Sequence, residues 1–77
     1  MDKPLYVHAD WDAGASVWVA TSNDVPGLAT DAETVEALGV KLEILISDLL
    51  EENGATSDQS ISFELLARRF DPVRPAA

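Results

Sequence analysis

Few side chains in this sequence could do chemistry. His8 is the only histidine, and cysteine is absent. Covalent catalysis needs a nucleophile activated by an adjacent base, and one imidazole on the polar side of a strand is a poor start. No serine sits in a glycine-flanked elbow, and no glycine loop has the spacing that cradles phosphate. Thiolate metal sites and disulfides are excluded outright. The residues therefore predict no enzyme, no cofactor and no metal centre.

Residues suited to recognition are easier to find. Tyr6 and Trp18 are aromatics on strand-like segments, Asp24 and Pro26 lie in a turn, and Asp48, Glu51 and Glu52 crowd one helix end. Aromatic side chains with a polar tip are good interface anchors. Carboxylates at a helix C-terminus oppose the dipole, so that cluster is either a docking site for a basic partner or a solvated face. Asp24, Pro26 and Gly27 read first as turn formers and second as a contact loop.

Charge narrows the partner. Against 14 acidic residues stand 5 basic ones, a formal net charge of -9. Such a surface repels phosphate, so neither direct nucleic-acid binding nor an anionic membrane is expected. A basic protein would be attracted, although the same acidity also serves solubility. Arg68, Arg69 and Arg74 concentrate most of the positive charge near the C-terminus. They are too few for nucleic acid and suit an ion pair between subunits.

The elements that must position these residues follow from periodicity. Leu5, Val7, Ala9 and Trp11 alternate with Tyr6, His8 and Asp10, the period of a half-buried strand with Trp11 on its core side. Residues 12–15 supply hairpin chemistry, with Gly14 available for positive φ. A second strand covers 16–22, Pro26-Gly27 breaks it, and a short third strand covers 28–30. Two registers stay open for the second strand. Either Val17 and Val19 face the core and Trp18 is exposed, or Trp18 is core.

Thr34 caps a helix whose stripe is Val35, Leu38, Leu42, Leu45 and Leu49, widened by Ile46 and Leu50. Gly39 within it either admits a close strand or is merely tolerated, and Asn53-Gly54 ends it. After a polar loop at 55–59, a last strand runs over 60–69. The order β-β-β-α-β predicts an α+β fold: an antiparallel sheet with one helix on one face. Residues 1–70 form one domain, and 71–77 a flexible tail.

Trp18-Val19-Ala20, then Asp24-Val25-Pro26-Gly27-Leu28, then Asp31 to Leu38 with Thr34 at the helix start, resembles the HicB-like antitoxin family. The likeness spans about Leu5 to Leu66. It implies a truncated ribonuclease-H-like fold without nuclease activity. It also implies a partner: a small basic HicA-type ribonuclease that cuts messenger RNA. Ribonuclease H enzymes hold metal with several convergent carboxylates, and only Asp10 stands where one would be. Asp10 reads instead as a solvated strand residue. Seven residues follow Phe70, too few for the DNA-binding module that such antitoxins commonly add.

The function expected is thus non-catalytic protein binding, antitoxin-like, with a stand-alone homo-oligomeric scaffold as the alternative. A 77-residue chain buries only roughly 60% of its unfolded surface, so a homodimer or larger assembly through the last strand or sheet edge is expected. The first residues carry no apolar signal core and no apolar run approaches a membrane span, so a cytoplasmic location is expected.

Overall fold

The computed structural model describes residues 4–52, 54 and 61–75. Five elements follow one another among them: β1 (Leu5–Asp12), β2 (Val17–Thr21), β3 (Ala29–Ala32), α1 (Val35–Glu52) and β4 (Phe63–Arg68). The strands form one sheet in the order β3-β2-β1-β4. The expected α+β class and element order hold, and the predicted loop at 55–59 lies outside the described residues.

The sheet is mixed, which corrects the antiparallel expectation. β1 pairs antiparallel with β2, and β2 antiparallel with β3, but β4 runs parallel to β1. Counting chain reversals explains why. Each hairpin reverses the chain, α1 reverses it again, and the connection into β4 restores the direction of β1 and β3. A helical crossover of this kind is what parallel pairing requires.

One helix covers one face. Val7, Ala9, Ala20 and Ala32 from the sheet meet Leu38, Leu42 and Ile46 from α1, with Val25 and Leu28 closing one end of the core. Leu45, Leu49, Leu50, Phe63 and Leu65 pack around them half-buried. The small alanines on β1, β2 and β3 let α1 lie close over β2 and β3. Gly39 is not part of that approach, because no atom lies near where its Cβ would be.

Local chemistry sets each boundary. Thr34 Oγ1 accepts the Ala37 amide at 3.0 Å, the N-cap bond predicted for it. At the other end Gly54 has φ of 79° and its amide reaches the Glu51 carbonyl at 3.1 Å. Val25-Pro26-Gly27-Leu28 makes a type II turn: Pro26 presets the first corner, Gly27 takes φ of 84°, and the Leu28 amide donates to the Val25 carbonyl. The β1–β2 hairpin differs from expectation. Its positive φ falls at Ser16 (57°) rather than at Gly14. Asp12 Oδ1 accepts the amides of both Gly14 and Ala15, which winds the loop tightly and leaves Ser16 to make the final correction.

Where β2 ends, two side chains continue its ladder. The Tyr6 amide donates to Asp24 Oδ2 at 2.8 Å, and Ser22 Oγ donates to the Tyr6 carbonyl while accepting the Asp24 amide. Tyr6 would otherwise have no neighbour on that side, since β1 pairing with β2 begins at His8 opposite Thr21.

Three stability outcomes follow. Asp24→Ala removes a charge-assisted bond and is expected to cost about 1 kcal/mol, lowering the melting temperature by roughly 4–8 °C in thermal denaturation. Ser16→Gly relieves left-handed strain and is expected to stabilise by about 1 kcal/mol in the same assay. Gly39→Ala meets open space on a helix and is expected to raise stability by about 0.5–1 kcal/mol in urea unfolding.

Candidate functional site

The register decides which side chains reach solvent. Trp11 pairs with Trp18 and Ala9 with Ala20, so Trp18 shares the face of the fully buried Ala20. It packs half-buried against the core, and its ring meets Trp11 edge-on at 5.3 Å between centroids. Trp18 is therefore not an anchor on the open face, which corrects one of the two open readings. The helix side had room for it because β2 carries only alanine two residues on. Trp11 is also half-buried rather than central, and the Arg69 guanidinium lies 4.5 Å from its ring centroid.

The other face of the sheet carries no covering element among the described residues. From β1 it presents Tyr6, His8 and Asp10, from β2 Val17, Val19 and Thr21, and from β4 Glu64, Leu66 and Arg68. Tyr6 and Leu66 remain 43% and 42% exposed, so large apolar groups stand in water here. Asp10 lies between Val19 and Arg68 across the strands, and Asp31 opposite Val19. His8 and Asp10 of β1 stand in the middle of this face, between Thr21 and Leu66 and between Val19 and Arg68, so apolar side chains are interspersed with polar and charged ones. Interfaces of modest size commonly have this composition.

Of the residues singled out for binding, several gather at one end of the molecule. Tyr6 and Asp24 are joined by their hydrogen bond, and Asp24 spends its carboxylate on the backbone. Pro26 is exposed at the turn, and a Cβ on Gly27 would meet Leu49, so the loop abuts the last turns of α1. Asp48, Glu51 and Glu52 are exposed there, and no basic residue stands in the helix's last turn. Asp24 and Pro26 thus build the turn, while Tyr6 and the acidic trio face solvent.

Two features escaped the sequence reading. Leu66 joins Tyr6 on the open face only through the pairing of β4 with β1, which no single strand reveals, whereas Val17 and Val19 stand there as the register with Trp18 in the core implies. Val40 and Ile44 are exposed on the outer side of α1 at 60% and 63%. Their four-residue spacing off the packed stripe was a visible signal. Beside Ile44 a shallow groove is lined by Thr30, Lys41, Leu45 and Asp48. Lys41 walls it by donating to the Asp31 carbonyl at 2.7 Å.

Among the described residues, no group of three or more histidine, aspartate or glutamate side chains is placed to hold a metal ion. No helix among them is long and apolar enough to cross a membrane.

Comparison with known proteins adds a family and a fold relative. A domain family of unknown function, DUF1902, matches residues 4–74. The crystal structure of hypothetical protein TTHA1013, from the extremely thermophilic bacterium Thermus thermophilus, is similar at 46% identity. That likeness has a TM-score of 0.72 and covers 94% of this chain and 99% of the other. No functionally curated protein matches. A match from residue 4 to residue 74 takes in every element described above, and the chain belongs to the DUF1902 family.

Proposed function

We propose that this chain is a non-catalytic protein-binding module of HicB type, whose partner is a small basic HicA-type ribonuclease. The observation that carries the reading is the uncovered sheet face, where Tyr6 and Leu66 stand exposed beside Val17, Val19 and the carboxylates of Asp10, Asp31 and Glu64. An RNA-cutting enzyme must carry positive charge to hold phosphate. An acidic surface with apolar anchors would cover such a site and be steered to it by the net charge of -9. The ribonuclease would be met in the cytoplasm.

The resemblance supports the same reading. Asp24-Val25-Pro26-Gly27 links β2 to β3 and Thr34 caps the helix that follows, in the β-β-β-α-β order implied for a truncated ribonuclease-H-like domain. A member that has given up the nuclease site keeps the sheet as a binding platform.

The test is inhibition of messenger RNA cleavage by a HicA-type ribonuclease titrated with this chain. Stoichiometric inhibition is expected. Tyr6→Ala with Leu66→Ala should weaken it at least about tenfold, since both side chains lie outside the core. An intact ribonuclease unaffected by excess protein would overturn the antitoxin reading. Cleavage of RNA by this chain alone, with magnesium or manganese, would overturn its non-catalytic part.

A further inference from the structure

The segment after β4 is built to reach outward. At its root Arg69 Nε donates to Asp71 Oδ2 at 2.8 Å while the guanidinium lies over Trp11, so the segment leaves the body in a defined direction. Pro72 and Pro75 hold Asp71 and Arg74 extended. A polyproline run completes a turn in three residues, and such a run here would put Phe70 and Val73 on one side, about 9 Å apart. They are 90% and 92% exposed, the most exposed large apolar side chains among the described residues.

A matching receptor lies on α1. Val40 and Ile44 stand one turn apart, about 6 Å along the axis. Glu36, Glu43, Asp48 and Glu51 are exposed around them, and the groove beside Ile44 gives a side chain somewhere to settle. Charge is segregated in the same sense. Arg68, Arg69 and Arg74, of the 5 basic residues in the chain, lie on β4 and the segment beyond, where Asp71 takes up Arg69 and leaves Arg74 as the arm's outward charge, whereas the outer face of α1 is acidic apart from Lys41. Within one chain the two surfaces belong to opposite sides of the sheet order, β4 at one edge and α1 over β2 and β3.

We infer that residues 69–75 form an arm that docks on α1 of a second copy of this chain. Phe70 and Val73 straddle Val40 and Ile44, and Arg74 faces the helix carboxylates. Reciprocal exchange of two arms closes a twofold dimer with each contact made twice. The contact uses residues apart from the open sheet face, so it stands whether or not a ribonuclease is the partner.

The chain has no cysteine, so engineered thiols report cleanly. One preparation carries Val73→Cys and another Ile44→Cys. Mixed and mildly oxidised, they are expected to give a covalent heterodimer, and the unmodified protein a dimer mass by light scattering. Phe70→Ala with Val73→Ala should raise the dimer dissociation constant at least about tenfold with an unchanged circular dichroism spectrum, because neither side chain packs in the fold. Tyr6→Ala with Leu66→Ala should leave it intact. A monomer mass at high concentration would overturn the inference. So would a dimer that survives loss of both arm side chains and cross-links through Leu66→Cys, the mark of edge-to-edge pairing by β4.

Discussion

A single helix can bury only one face of a four-stranded sheet, and most of this molecule follows from that limit. α1 is about 27 Å long and lies over β2 and β3, so the apolar groups it can reach are those that alternate onto its side. β1 is the strand through which this works. It is central, hydrogen-bonded on both edges, and its Val7 and Ala9 are fully buried. Everything one residue out of phase with Val7 is left in water. Tyr6, His8 and Asp10 therefore face outward with Val19 and Leu66, whatever their individual hydrophobicity. The open face is a consequence of sidedness, and so is the apolar content it leaves in water.

The turn at Asp24 to Leu28 shows how a short pattern serves a global need. Asp24 and Ser22 supply from side chains the hydrogen bonds that β2 no longer offers to Tyr6. Pro26 and Gly27 then reverse the chain within one turn, burying Val25 and Leu28 and bringing Gly27 against Leu49 near the end of α1. Strand, turn and helix end are thereby locked to one another. The same residues that carry the HicB-like resemblance are thus first of all structural, and they fix the Tyr6 backbone at the end of the open face.

Charge adds a second polarity to the molecule. The net charge of -9 is not spread evenly: the arginines lie on β4 and beyond, among them Glu64 and Asp71, whereas α1 carries five carboxylates and one lysine. β4 and the segment beyond it thus carry both signs, whereas the outer face of α1 is almost wholly negative. Few ion pairs form within the chain among the described residues, Arg69 with Asp71 being one, so the bulk of the charge is turned outward. Attraction between opposite charges speeds encounter more than it tightens a complex. Affinity then depends on apolar anchors, and these are present on both surfaces.

Periodicity and capping chemistry alone determined the element order, the Thr34 cap, the Gly54 stop and the turn at Pro26-Gly27, because each depends on residues a few positions apart. The helix stripe of Leu38, Leu42 and Ile46 was legible for the same reason. The direction of β4 was within reach, since it needs only a count of reversals, but strand pairing is a long-range property and hairpin logic misled it. Positive φ at Ser16 was hidden because the Asp12 side chain, not glycine, shaped the loop. Whether Trp18 faced in or out could not be settled from one strand: alternation names two faces without saying which the helix covers. Only the tertiary pairing of Ala20 with Ala9 beneath α1 decided that, and with it the membership of the open face.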